Sequence, residues 1–343
     1  MTKVLLTGGS GFIAAHILDQ LLSKGHTVIT TVRSEQKAKP IRDAYKDKGS
    51  QLEVVVVGDI AKDGAFDEVV KKPGIEVVLH TASPFHFKWT DAQKELIDPA
   101  VIGTTGILKA VKRSAPTVKR VVVTSSFAAV LDEKHLSDGS HTFTEESWNP
   151  VGTQDLDASS PATAYRLSKT LAEKAAWDFV AREKPGFDLA TICPPVVFGP
   201  VAHHLASLEG INTSNERAAA LVTGAWNRGI PATGPVTVWV DVRDAALAHV
   251  RAMERPDAGG RRHLTIGGRF TNRAMAEIAW AAFPELARQG KLPGRDVEGG
   301  GAPPASENFR YNNDATVRVL GMEWTSLESS ITDLIRSLEE HGI

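Results

Sequence analysis

The chain has 343 residues, with 39 Lys and Arg against 41 Asp and Glu and a formal net charge of -2. That balance offers no basic field to nucleic acid or to an anionic membrane surface, so neither partner is expected. A hydrophobic content of 42% suits a globular core, no apolar run reaches the ~18 residues of a membrane helix, and the lone Cys193 excludes an internal disulfide.

Met1-Thr2-Lys3 leads straight into the apolar run Val4–Leu6, leaving no room for a secretory segment. With the single cysteine, this predicts a cytoplasmic protein. The run ends in Thr7-Gly8-Gly9-Ser10-Gly11-Phe12-Ile13-Ala14, a glycine turn that opens a helix over 12–23. Gly8 permits a tight turn, Gly11 leaves room for phosphates, and the helix beginning at Phe12 and Ile13 aims its free N–H groups at a diphosphate. The three-residue glycine steps depart from the usual G-x-G-x-x-G spacing.

Further strands are predicted at Thr27–Val32, Leu52–Val57, Val77–Leu79, Arg120–Val123 and Leu189–Cys193, with helices at 34–47, 63–71, 91–113 and 162–183. Continuous apolar strands alternating with helices require a parallel sheet covered on both faces, a doubly wound α/β (Rossmann) fold. Dinucleotide binding is placed in residues 1–200, with a returning segment near 236–265, and a smaller, mainly substrate-binding lobe in 201–343. The stretch Val297–Asn308, rich in Gly and Pro, reads as a mobile surface loop. Cys193 reads as a small core residue. The histidines, including the pair His203-His204, make no metal-ligand spacing, and no metal is expected.

Tyr165 and Lys169 stand four apart in the helix over 162–183 and therefore share a face. A phenol beside an ammonium is brought toward working pH as a proton donor. Ser126 closes the strand Arg120–Val123 at a carboxyl end, where its hydroxyl can hold a carbonyl oxygen. The second strand ends in Arg33 instead of the carboxylate that would accept bonds from an NAD ribose, and Lys37 follows one turn later. Two cations there favour a 2′-phosphate, so NADP(H) is the expected cofactor.

Together, Thr7–Ala14, Ser126, Tyr165-Arg166-Leu167-Ser168-Lys169 and Pro194-Pro195-Val196-Val197-Phe198-Gly199-Pro200 resemble the extended short-chain dehydrogenase/reductase superfamily. The resemblance is to its dihydroflavonol-reductase-like branch, and within it to fungal NADPH-dependent methylglyoxal, aldehyde and ketone reductases. Asn212-Thr213-Ser214, Trp239–Asp244 and Val319-Leu320-Gly321 extend it over nearly the whole chain. It implies that Tyr165 is the general acid, that Ser126 orients the carbonyl, and that Lys169 binds the nicotinamide ribose and lowers the tyrosine pKa. It further implies that Pro194 and Val197 run past the nicotinamide, that Thr81, Ala82 and Ser83 pass beside the cofactor, and that Asp59 and Ile60 flank the adenine. Phe85, Phe127, Thr163 and Val196 are the candidate substrate walls, with Phe87 close by, suited to a small neutral carbonyl compound; for Phe127, narrowing of the pocket and packing in the core both stay open. Two other readings stay open: a nucleotide-sugar epimerase or dehydratase, and a non-catalytic NADP-sensing regulator. Monomer and homodimer are not distinguished.

Overall fold

The computed structural model describes residues 1–83, 89–156, 160–202 and 211–342. In chain order the elements are β1 (Lys3–Thr7), α1 (Phe12–Ser23), β2 (Thr27–Val32), α2 (Glu35–Ala44), β3 (Leu52–Val56), α3 (Asp67–Val70), β4 (Val77–His80), α4 (Asp98–Ser114), β5 (Arg120–Thr124), β6 (Thr142–Phe143), α5 (Pro161–Glu183), β7 (Asp188–Cys193), β8 (Val196–Phe198), α6 (Glu216–Val222), β9 (Val238–Asp241), α7 (Val242–Glu254), β10 (Arg261–Leu264), β11 (Gly268–Arg269), α8 (Asn272–Ala282), α9 (Pro284–Arg288), β12 (Arg310–Tyr311), α10 (Asp314–Leu320) and α11 (Leu327–Glu340).

Seven strands form a parallel sheet in the order β10-β7-β5-β4-β1-β2-β3. The chain winds outward from β1 through β2 and β3, then crosses to β4 on the other side. The strand order therefore reverses between β1 and β4, where a crevice opens beyond the carboxyl ends. Because successive side chains on a strand face opposite ways, Val4 and Leu6 pack under α1 and α7, while Leu5 packs with Ile107 and Leu108 of α4. Both faces are thus buried, and this is why the strand sequences are apolar without alternation.

Residues 196–198, 238–241 and 268–269 make a separate three-stranded sheet. Around Phe198, Trp239 and Phe270 the helices α6, α8 and α11 build their own core. The returning segment divides its work: α7 covers the main sheet beside α1, and β10 adds the last strand to it.

Several boundaries differ from the sequence reading for local reasons. The helix expected over 34–47 stops at Ala44, and a tight turn follows in which Gly49 takes φ 48°. That over 63–71 shrinks to Asp67–Val70 after a turn at Gly64, φ 72°. The helix expected over 91–113 begins with a π turn at Gln93–Ile97 before Pro99, which has no N–H to give, starts the regular helix. Val297–Asn308 is pinned, contrary to expectation: Ile230 N–H donates to Glu298 O (3.0 Å), Arg273 N–H to Gly300 O (2.9 Å) and the Thr233 hydroxyl to Gly300 O (2.9 Å).

Candidate active site

The glycine turn sits where β1 meets the crevice. Gly8 has φ +75°, and a Cβ on it would lie 2.9 Å from the Ala82 backbone, so side chains are excluded by conformation and by contact. The β4 exit is laced to β1: Thr81 Oγ1 donates to Thr7 O (2.6 Å) and Ala82 N–H donates to Thr7 Oγ1 (3.2 Å). Gly11 caps α1 in an extended conformation, leaving the first helical N–H groups open to the cleft.

A cleft of about 640 Å³ runs over this turn, lined by Gly8, Gly11, Arg33, Lys37, Asp59, Ile60, Thr81, Ala82 and Ser83 among others. Of the residues expected at the adenosine and phosphate end, Gly8, Gly11, Arg33, Lys37, Asp59 and Ile60 therefore meet in one place, while Phe12 and Ile13 face the adjoining cleft. Among the described residues neither Arg33 nor Lys37 has an ion-pair partner, whereas nearby Arg42 pairs with Glu35 and Lys39 with Asp43. The two cations that line the cleft are available to an anion.

A second cleft of about 330 Å³ continues from the first through Gly11, Thr81 and Ser83. Phe12, Ile13, Ser126, Tyr165, Lys169, Pro194 and Val197 line it. Helix α5 delivers Tyr165 and Lys169 because its start is fixed: Ser160 accepts from Thr163 N–H, Pro161 occupies the first turn, and Lys184 in the left-handed region ends it before Pro185-Gly186. Ser126 follows β5 in an extended conformation and accepts from Ala128 N–H at 3.1 Å.

Burial raises the Tyr165 phenol above its ordinary pKa, and a hydrogen bond with Ser126 pulls the other way. Burial lowers the Lys169 ammonium to about 8. Its Nζ stands 5.9 Å from the Tyr165 ring centroid and donates to Ser83 Oγ at 3.1 Å. Ser126 is the neighbour whose hydrogen bond pulls the tyrosine pKa down. Tyr165 remains a protonated donor at neutral pH.

Among the expected substrate walls the structure separates Phe127 from the clefts, which is the core-packing alternative of the sequence reading. Phe127 is 2% exposed, with its ring against Phe143 and Phe309 at 5.7 and 5.8 Å, so it is a core residue and lines neither cleft. Thr163 is engaged with Ser160 at the start of α5, and Val196 packs on the C-terminal core. Phe85 and Phe87, like His203 and His204, lie outside the described residues. Instead, Asn212, Thr213 and Ser214 enter the second cleft. Val197 N–H donates to Ser214 Oγ (3.3 Å) and Asn212 Nδ2 to Val197 O (3.2 Å), fastening this loop to β8. The sequence marked that tripeptide as familiar but gave no reason to place it here.

One histidine cluster also escaped the spacing argument: a turn brings His135, Asp138 and His141 within 4.8 Å. The two rings stack at 4.0 Å with planes 6° apart, so their in-plane lone pairs do not converge.

The fold and the two joined clefts define a dinucleotide-dependent enzyme class of the extended short-chain type. The sequence profile of the NAD dependent epimerase/dehydratase family matches residues 4–267, and the chain belongs to that family. It is 42% identical to the ketoreductase azaE of Aspergillus niger, across 99% of this chain and 98% of that protein. It is 39% identical to an NADPH-dependent methylglyoxal reductase of Saccharomyces cerevisiae, across 96% of each. The structure of Gre2 from Candida albicans in complex with NADPH superposes with a TM-score of 0.91 at 36% identity, covering 100% of both chains.

Proposed function

We propose that this protein is an NADPH-dependent carbonyl reductase that converts neutral aldehydes and ketones to alcohols. The observation that carries the reading is the second cleft: Ser126, Tyr165 and Lys169 meet at its wall, and it opens onto a first cleft lined by Arg33 and Lys37, which have no ion-pair partner among the described residues. The donor set fits NADPH. Arg33 and Lys37 would hold the 2′-phosphate, the Gly8–Gly11 turn and the start of α1 the diphosphate, and Lys169 the nicotinamide ribose. Residues 1–200, with the return through α7 and β10, would carry the cofactor while the C-terminal lobe closes on the substrate.

Bound NADPH would supply the hydride. Ser126 donates a hydrogen bond to the substrate oxygen and fixes its direction. Tyr165, kept protonated by burial, gives its proton from Oη to that oxygen as negative charge develops there. Phe12, Ile13, Pro194, Pro195 and Val197 make an apolar surround, and Lys169 is the sole charged group among the described lining residues. Compact carbonyl compounds with an alkyl or aryl arm suit this wall, and phosphorylated or carboxylated ones have no free cation to meet. Cys193, the single cysteine of the chain, is buried and leaves no internal disulfide, which supports action in a reducing, cytosolic compartment.

NADPH oxidation measured against a panel of neutral ketones, aldehydes and keto acids tests the reading. Turnover with neutral carbonyls that vanishes in Tyr165→Phe supports it; absence of turnover across the panel, or preference for keto acids, overturns it.

A further inference from the structure

Tyr165 and Lys169 lie on α5, whereas Ser126 lies at the exit of β5. Their contact requires two separate elements to keep a fixed offset. Backbone bonds pin the β5 exit to the neighbouring strand and its extension: Ser125 N–H donates to Ile192 O (2.7 Å) and Phe127 N–H to Pro194 O (2.9 Å). Neither bond reaches α5.

Glu173 does. It stands two turns beyond Tyr165 on α5 and is 1% exposed. Its Oε2 accepts from Ser125 Oγ at 2.5 Å and from Arg262 Nη2 at 3.1 Å. Its Oε1 accepts from Arg262 Nε (2.7 Å), Thr191 Oγ1 (2.7 Å) and Trp177 Nε1 (3.3 Å). A single carboxylate therefore joins α5, the β5 exit, β7 and β10. Arg262 is held in turn: it donates to Glu145 O (3.0 Å), to Ser147 O and to Ala129 O (3.3 Å), and its guanidinium lies 3.7 Å over the Trp148 ring. A buried charge with this many donors is rigid, because moving it leaves unpaired polar groups out of water.

Glu173 makes no direct ion pair with Lys169, whose ammonium donates to Ser83 Oγ. A cavity of about 10 Å³, the space of one water, is lined by both residues together with His80, Ser83, Thr124 and Ser125. Burial lowers the Lys169 ammonium. What reaches the reacting groups from Glu173 is position, transmitted through Ser125 to its neighbour Ser126.

We propose that Glu173, clamped by Arg262, is a positioning residue that acts through Ser125 to hold the Ser126 hydroxyl against the Tyr165 phenol. The inference rests on the carbonyl-reductase reading, and it gives separate roles to the two adjacent serines: Ser126 touches substrate, and Ser125 sets where Ser126 stands.

Ser125→Ala is the decisive variant, because it cuts the tether while leaving the Glu173–Arg262 pair intact; Glu173→Gln strands a buried guanidinium and is expected to unfold part of the protein. In Ser125→Ala the melting temperature and NADPH affinity should stay close to those of the unmodified protein. The kcat for a ketone should fall ~10-fold or more, as expected for a small misplacement of reacting groups, with KM little changed. Ser125→Thr, which retains the hydroxyl, should recover most of kcat. Loss of the Ser126 contact should also raise the Tyr165 pKa. That shift is read by ultraviolet phenolate titration, with Tyr165 assigned by difference against Tyr165→Phe among the 3 tyrosines. An upward shift in Ser125→Ala supports the tether whether or not the unmodified protein reduces carbonyls, so it separates this inference from the functional reading. An unmoved Tyr165 titration, or kcat within twofold of the unmodified protein, reduces Glu173 to a structural ion pair and overturns the proposal.

Discussion

Removing Arg33 and Lys37, singly and together, should expose how the protein distinguishes NADPH from NADH. Arg33 follows the last residue of β2 and is exposed, whereas Lys37 is half-buried in the first turn of α2. Both line the first cleft and neither has an ion-pair partner among the described residues, so substitution breaks no internal salt bridge. A charge-assisted hydrogen bond contributes about 1.5–3 kcal/mol, and the exposure of Arg33 places it at the lower end. A loss of about 1.5 kcal/mol per cation corresponds to roughly tenfold in kcat/KM for NADPH. The double variant should lose up to ~100-fold if the two act independently, and less if they share one phosphate oxygen. With NADH, which carries no 2′-phosphate, all three variants should stay within about twofold, on the scale of a surface change. The assay is kcat/KM for each cofactor at saturating ketone, repeated as salt rises from about 0.1 M to about 1 M, which shortens the Debye length from ~10 to ~3 Å. The preference of the unmodified protein should shrink with salt, and that of the double variant should not. Equal losses with NADPH and NADH, or a native preference for NADH, would refute the assignment of these cations to the 2′-phosphate.

Tyr165→Phe should preserve folding and NADPH binding while lowering kcat by about 10²–10⁴, measured by stopped assay against the unmodified protein; near-normal turnover places the acid elsewhere. Gly8→Ala should be destabilised by more than about 1–2 kcal/mol, the cost of a side chain in the left-handed region, with a raised KM for NADPH because the new Cβ displaces the Ala82 backbone. Phe127→Ala should lose about 3–5 kcal/mol in denaturant unfolding, since its ring is packed on all sides; a changed substrate profile at unchanged stability would restore it as a pocket wall. His80 and His249 are buried neutral, with burial lowering them from 6.5 to about 3 and about 4. The unfolded chain therefore binds more protons below pH 6.5, so their contribution is complete above that pH and is lost on acidification. From about pH 6 to 4 the unfolding free energy should fall by up to about 1.4 kcal/mol per pH unit for each group, and an acid unfolding series showing no such slope contradicts their burial.

The parallel sheet was legible because its central strands β1, β4, β5 and β7 are buried on both faces and so are written as largely apolar runs, whereas the edge strand β10, Arg-Arg-His-Leu, carries no such signal. The glycine turn was legible because only glycine tolerates its backbone, and the Tyr165–Lys169 pair because helical geometry fixes residues four apart on one face. Those are local constraints, and the sequence alone determined them along with the cationic end of β2. Phe127 shows where local reasoning stops. It adjoins Ser126, yet successive residues leave the backbone in different directions, and its partners Phe143 and Phe309 come from distant segments that no periodicity connects. The loop at Asn212–Ser214 enters the cleft through bonds to Val197, and Glu173 gathers Ser125 from the β5 exit, Thr191 from β7 and Arg262 from β10. Side-chain positions of that kind depend on contacts between residues far apart in the chain, and tertiary packing alone decided them.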